Sequence, residues 1–410
     1  MAEVTLERGS IVPKNLLKHW TPATVLMICV VLAFFDKISI AVLFSDPTFQ
    51  ETMGAAENKS RLGWLMTSFL LSYGFSSVFL SFLGDIFSPK KLIFWSVLSW
   101  GILMIIMGFT TSYKWMFINR ILLGIAEGPL FALCYSIVKL CYSDREQARA
   151  STMFILGTPI GASLGFPITA YVLAHYDWHT TFFVMGALTL VATVLVHFGL
   201  KGVEVSGRQK KAVKTDHKEN LRTLMSNKAF WLVCFFNIAL MTYLWGLNSW
   251  IPTYLMEEKG FNLKEFGTLS MIPFIGMLIG EIGGALFSDR FTVRRAPQVF
   301  IGLLGAGIAM YLMVLVTSNV MVITMMTISS MMWGICVSAV FALLSRVSEK
   351  EVATTAGGIF NGLANFASAI VPVLIAYIVM ATGDFDTGII FLALVAIVGS
   401  LILVPLIRRY

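Results

Sequence analysis

Charged side chains are the scarcest class in this sequence. Asp, Glu, Lys and Arg make up 13% of its 410 residues, against about 25% in an ordinary soluble domain. That shortage excludes a water-facing globular surface over most of the chain. Cysteine is scarce too: Cys29, Cys134, Cys141, Cys234 and Cys336 show no metal-ligand or redox spacing, so neither a disulfide framework nor a metal centre is expected. His175 and His179 stand four apart but lack the Glu of a zinc-protease helix. No glycine loop leads into Lys-Ser or Lys-Thr, which removes ATP as a direct energy source. The residues offer no enzyme chemistry and call for no cofactor.

Apolar sequence is abundant. Hydrophobic residues make up 57% of the chain and mean hydropathy is +0.80. A hydrocarbon core of about 30 Å requires roughly 20 apolar residues per helix. Twelve runs meet that requirement, near 21–44, 61–83, 92–110, 114–139, 149–173, 179–200, 229–256, 264–288, 298–316, 320–346, 352–379 and 387–406. The fold class expected is an all-α membrane protein of twelve transmembrane helices. The first twenty residues carry no short apolar core with a cleavage site, so span 1 is expected to act as its own insertion signal.

With both termini placed in the cytoplasm, 23 of the 30 Lys and Arg fall on the cytoplasmic side. Five (Lys59, Arg61, Lys114, Lys259 and Lys264) fall outside, and Lys37 and Arg120 lie within the membrane. That bias follows the positive-inside rule, so the net charge of +7 reads as a topology signal. The basic stretch 207–222 reads as a solvated linker; a nucleic-acid partner is not expected. Residues 201–228 divide the spans into six plus six, giving an N-terminal bundle (1–200), a cytoplasmic linker (201–228) and a C-terminal bundle (229–410). "FLSFLGDIFSPKK" after span 2 and "GGALFSDRFTVRR" after span 8 echo one another. Asp85, Lys90 and Lys91 in the first loop, and Asp289 and Arg290 in the second, are the expected gating residues. Glu281, in span 8 two turns before Asp289, is grouped with the second gating loop and its Arg290, Arg294 and Arg295.

Gly157, Gly161 and Gly165 in span 5, and Gly276, Gly280 and Gly284 in span 8, each form a double G-x-x-x-G, which lets helix backbones approach closely. Ordinary helix packing accounts for them. A sharper expectation puts both faces on the seam between the halves.

The most informative residues are ionisable ones inside spans, where a charge costs about 2.5–3.5 kcal/mol. Asp36 and Lys37 lie in span 1, and Arg120 and Glu127 lie two turns apart on one face of span 4. They read either as an ion-pair network fixing helix packing, Asp36 with Arg120 or Lys37 with Glu127, or as the wall of an ion and substrate path. Tyr73 in span 2, Asn248 in span 7, Ser338 in span 10, and Asn361 and Asn365 in span 11 add uncharged polar groups.

The segments "FFDKISIAV" in span 1, "RILLGIAEGPLF" in span 4 and "TTAGGIFNGLANFASAIVPVLIAYIVMATGDF" in span 11 resemble the major facilitator superfamily. More narrowly, they resemble its anion:cation symporters, which include galactonate, glucarate and hexuronate permeases and the sialin-like transporters. The resemblance implies two pseudo-symmetric six-helix bundles. It implies protonation at Asp36 and Glu127, and substrate contacts from Lys37, Tyr73, Arg120, Ser338 and Asn361. Lys37 stands where sugar-acid permeases usually have arginine, Thr158-Pro159 where they tend to have a glutamine, and Phe341 where they tend to have tryptophan. The first loop reads Asp85-Ile86 and lacks the usual arginine after the aspartate.

The function expected is a proton-coupled symporter importing a small organic anion, a sugar acid or other carboxylate, by alternating access. It is expected to act as a monomer in a bacterial inner membrane, with protons, the anion and the lipid bilayer as its partners. The alternatives are an exporter or antiporter of a larger anion such as a polycarboxylate siderophore, and a transporter-fold sensor.

Overall fold

A computed structural model describes residues 16–80, 87–142, 144–201, 217–291, 294–348 and 353–410. Among them are twelve helices long and apolar enough to cross a membrane: His19–Leu43, Ser60–Phe79, Pro89–Gly108, Tyr113–Val138, Ala150–His175, Trp178–Gly199, Lys228–Glu258, Leu263–Phe287, Ala296–Leu315, Asn319–Leu344, Ile359–Thr382 and Phe385–Leu406. They match the twelve expected spans in order, with ends displaced by a few residues, and are numbered 1 to 12 below. Asp85 and most of the 201–228 linker lie outside the described residues, as do the side chains of Asp289, Arg290 and Ser338. Of the remaining loop residues, Lys90 is half-buried and Lys91 exposed.

Proline interrupts four spans. Span 4 runs as Tyr113–Glu127 and Leu130–Cys141 around Pro129. Span 5 runs as Asp144–Ile155 and Gly157–His175, breaking just ahead of Pro159. Span 8 divides at Ser270 ahead of Pro273, and span 11 at 369–370 ahead of Pro372. Proline has no N–H to donate and crowds the carbonyl four residues back; inside a membrane such breaks persist where neighbouring helices enclose them. The span 4 break leaves Glu127 as the last residue of its first segment.

Packing repeats along the chain. In the first six spans, 1 lies on 5, 2 on 4, and 3 on 6; in the last six, 7 lies on 11, 8 on 10, and 9 on 12. The two sets meet where span 2 faces 11, span 5 faces 8, and span 1 faces 7. The glycine stripes follow the first kind of contact, correcting the expectation that they line the seam. Methyl groups added at Gly157 and Gly161 would strike Met27, Val31 and Phe34 of span 1. At Gly276 and Gly280 they would strike Thr327 and Met331 of span 10. These stripes bring backbones together within each set of six; spans 5 and 8 meet through the Phe166 ring against Phe266 and Phe274, and where Gly267 lies beside Ala170.

One end of the bundle carries the start of span 1 and the C-terminal Tyr410 and is called here the terminal face; the other is the distal face. At the terminal face Tyr142 accepts the Ala23 N–H at 3.0 Å and donates to the His19 carbonyl at 3.1 Å. Burial pushes its phenol up to about 12, so it stays a protonated donor at neutral pH. At the distal face the two sets of spans are drawn together. The Ser45 hydroxyl donates to Thr253 Oγ1 at 3.1 Å, and Lys59 is paired with Glu257. The ring of Phe44 lies 5.7 Å from that of Trp250, and that of Phe166 lies 5.5 Å from both Phe266 and Phe274. Glu257 belongs to a π turn, Tyr254–Glu258, that ends span 7 just after Pro252.

Candidate functional site

Lys37 is the centre of the intramembrane cluster. Its ammonium lies 3.7 Å from Glu127 Oε2, and the two side chains are 1% and 0% exposed. Three rings enclose the charge: Tyr73 at 4.0 Å from ammonium to ring centre, Phe34 at 4.8 Å and Phe131 at 6.0 Å. Aromatic faces stabilise a desolvated cation through their quadrupoles, which offsets part of the cost of burying it. Tyr73 thus meets the lysine through its ring face.

Asp36, the chain neighbour, is also 1% exposed but points elsewhere. Successive helix residues are about 100° apart, and this rotation turns Asp36 toward spans 3 and 6. There its Oδ2 accepts the indole N–H of Trp100 and the hydroxyl of Thr189, the latter at 3.4 Å. The expectation that Asp36 and Lys37 form one wall of a single cavity is corrected accordingly. Of the two ion pairings expected, Lys37 with Glu127 is formed, while Asp36 is held by neutral donors.

Arg120 is fully buried between spans 4 and 2. Its Nε donates to the Leu65 carbonyl at 3.4 Å, and its guanidinium carbon lies 4.6 Å from the centre of the Phe69 ring. Gly124, one turn on, permits this closeness, since any side chain there would collide with Ser72 and the span 2 backbone. Arg120 Nη1, Asp36 Oδ1 and both Glu127 oxygens have no hydrogen-bond partner among the described residues. Buried polar groups are nearly always satisfied, so this cluster has unspent capacity to bind a proton, water or a polar solute.

The last six spans contribute neutral polar groups. The Asn365 amide donates to Asn361 Oδ1 at 2.9 Å, and Trp245 Nε1 donates to Asn365 Oδ1 at 3.2 Å. The Trp245 ring in turn stacks on Phe34 at 6.4 Å, so spans 7 and 11 reach the lysine's surroundings through this ring pair. Asn361 and Phe341 are exposed, and Asn248 is buried. His179 sits against the Gly108 carbonyl at 2.8 Å, and no group of metal-binding residues occurs among the described residues. The five cysteines are free. A cleft of about 460 Å³ at the distal face, lined by Glu57, Lys59, Glu257 and Glu258, is separate from the Lys37 cluster.

Sequence reasoning did not single out Trp100, Thr189, Trp245 or Phe34. The available signal was the tryptophans themselves, because a buried indole N–H needs an acceptor and the only acids within the first six apolar runs, 21–200, inside their expected bounds are Asp36 and Glu127.

Comparison with known proteins agrees with this architecture. The chain is 25% identical over 389 residues to the probable sulfoacetate transporter SauU of Cupriavidus necator, covering 90% of this chain and 89% of that one. It is 24% identical over 424 residues to the probable galactarate/D-glucarate transporter GarP of Escherichia coli K12, covering 94% of each. A bacterial homologue of the human lysosomal transporter Spinster, solved inward-facing and unoccupied, superposes with a TM-score of 0.76 at 16% identity, covering 96% of both chains. The model of the Major Facilitator Superfamily matches residues 26–372. With twelve spans, their repeated pairing and a match across most of its length, this chain is a multi-pass membrane protein that belongs to the Major Facilitator Superfamily, a family of transporters and not of enzymes.

Proposed function

We propose that this protein is a proton-coupled symporter that imports a small organic anion, a sugar acid or another carboxylate, by alternating access between residues 1–200 and 229–410 joined by the 201–228 linker. The observation that carries this reading is the Lys37–Glu127 pair, sealed from solvent at 3.7 Å, with no hydrogen-bond partner on either Glu127 oxygen among the described residues. A carboxylate that takes the lysine strips Glu127 of its counter-charge, and a buried carboxylate without a cation favours its protonated form. Anion capture and proton uptake thereby promote each other. Asp36 is a second proton carrier, Arg120 adds positive potential, Tyr73 flanks the anion, and Ser338 and Asn361 read hydroxyl or carbonyl groups from the other half.

The relatives' names, which specify sulfoacetate and galactarate/D-glucarate, support an organic acid as cargo. The excess of Lys and Arg toward the terminal face supports placing it, and both termini, in the cytoplasm, as in a bacterial inner membrane. The contacts drawn together at the distal face then correspond to a path closed to the outside. The protein acts as a single chain, with Asp85, Lys90, Lys91, Asp289 and Arg290 in its gating loops.

The test is proton entry into liposomes containing a pH-sensitive dye on adding sugar acids, sulfonates or simple carboxylates, with Glu127→Gln as the comparison. Symport predicts acidification triggered by one class in the wild type and none in Glu127→Gln, which retains exchange of labelled substrate. Full proton-driven accumulation by Glu127→Gln removes that residue from coupling.

A further inference from the structure

The symport reading gives no part to Phe34 or Phe131, although both rings stand at the lysine. Tyr73 of span 2, Phe34 of span 1 and Phe131 of span 4 lie 4.0, 4.8 and 6.0 Å from its ammonium. An anion in contact with that ammonium has its charged end about 2.7–2.9 Å away. The body attached to that end therefore meets aromatic carbon first.

The rings are set for a third one. Phe34 and Phe131 are 6.4 Å apart and cross at 87°, so one offers a face where the other offers an edge. Aromatic groups prefer offset stacking and edge-to-face contact, and a planar guest in this corner makes both at once. The aromatic wall continues away from the lysine. Phe154 of span 5 lies 6.2 Å from Phe131 and 5.2 Å from Tyr135, crossing them at 62° and 88°. Tyr135 is one turn beyond Phe131, about 6 Å nearer the terminal face, and is 46% exposed.

Polar partners for the body of a guest are few by comparison. Ser39 donates to the Phe35 carbonyl, Ser72 to those of Ser68 and Phe69, and Ser76 to that of Ile125. Asp36 faces Trp100, and Arg120 is turned to the Leu65 carbonyl and the Phe69 ring. Asn365 is bonded to the Trp245 indole, which itself stacks on Phe34, a ring removed from the lysine. Glu127 is the polar side chain paired with the ammonium, and it can serve one hydroxyl. A sugar acid brings a hydroxyl on every carbon of its chain, and each one buried without a partner lowers affinity about tenfold. An arene buries its body without that loss.

We propose that the substrate class of the Lys37 site is aromatic carboxylates: a planar ring bearing a carboxylate that meets Lys37, with the ring packed among Tyr73, Phe34 and Phe131, in preference to polyhydroxylated sugar acids. The inference rests on the organic-anion reading of the Lys37 site and names the cargo within it.

Binding of benzoate and of galactonate to the purified full-length protein, measured by titration calorimetry in detergent, tests it. Each carries one carboxylate, and they differ in whether the body is a ring or a polyol. The wild type is expected to bind benzoate at least about tenfold more tightly. Phe131→Leu keeps an apolar side chain but removes a ring, and is expected to narrow that ratio about fivefold by weakening benzoate. Galactonate binding as tightly as benzoate, an unchanged ratio in Phe131→Leu, or binding of neither acid overturns the proposal. The organic-anion reading is judged separately: loss of whichever acid binds in Lys37→Ala, or proton entry triggered by another carboxylate, leaves that reading standing when this one fails.

Discussion

Asp36 and Lys37 are adjacent in the chain but belong to different environments: the lysine meets Glu127 and three aromatic rings, and the aspartate is held from behind by Trp100 and Thr189. One turn of span 1 therefore supplies a cation to one side and an acid to the other. Each can be altered without removing the partner of the other.

Replacement of Lys37 separates charge from geometry. Lys37→Ala leaves Glu127 buried without a cation, and removing one member of such a pair costs about 2 kcal/mol or more, some thirtyfold in affinity. Lys37→Arg retains the charge, with a planar fork that suits carboxylates. Titration of the transported anion by calorimetry is expected to rank wild type and Lys37→Arg well above Lys37→Ala; equal affinities for all three would mean that the lysine does not touch the anion.

Trp100→Phe keeps an aromatic ring in span 3 while deleting the N–H that Asp36 accepts. Leaving a buried acceptor short of its donor costs about 1–3 kcal/mol. Thermal unfolding in detergent should show that loss. Trp100→Phe combined with Asp36→Leu should recover part of it, because the apolar replacement has no hydrogen bond to lose.

The helix count, the order of the spans and the identity of the intramembrane charges were legible in the sequence because each follows from composition along one dimension. The partners of those charges were not. Whether Asp36 meets Arg120 or Trp100 depends on how span 1 is rotated, and that rotation is set by Gly157 and Gly161 abutting its other side. Small-residue spacing announces a close helix contact without naming the helix, so it left ordinary packing and a seam between halves both open; the stripes face spans 1 and 10, which is the former.

The glycine contacts make a sharp comparison. Gly161→Ala forces a methyl group against the Val31 carbonyl and 2.9 Å from Phe34 Cβ, and overpacking of this kind costs about 1–3 kcal/mol. Gly283→Ala, on the same type of helix, meets nothing within 4 Å and gains helix propensity. Melting temperatures in one detergent should fall for the first and hold or rise for the second.

At the distal face Lys59 pairs with Glu257 and lies 4.4 Å from the centre of the Phe385 ring. With side chains 23% and 35% exposed, such a pair contributes about 0.2–1 kcal/mol, or at most about fivefold in a conformational equilibrium. Glu257→Gln is expected to raise labelling of a cysteine placed at Ser45 by a membrane-impermeant reagent by up to that factor, and Lys59→Ala combined with Glu257→Gln to add little more. Unchanged labelling would show that the aromatic contacts alone hold this face shut.

Trp245 touches Phe34 on one side and Asn365 on the other, while Phe34 lies 4.8 Å from the ammonium of Lys37. The ring beside the lysine is therefore also a bearing surface between the two halves. An anion cannot draw the lysine aside without disturbing that ring, and one half cannot tilt over the other without sliding along it. On the symport reading proposed above, occupancy and tilt share a moving part, so a substitution that loosens the bearing is expected to uncouple proton movement from cargo.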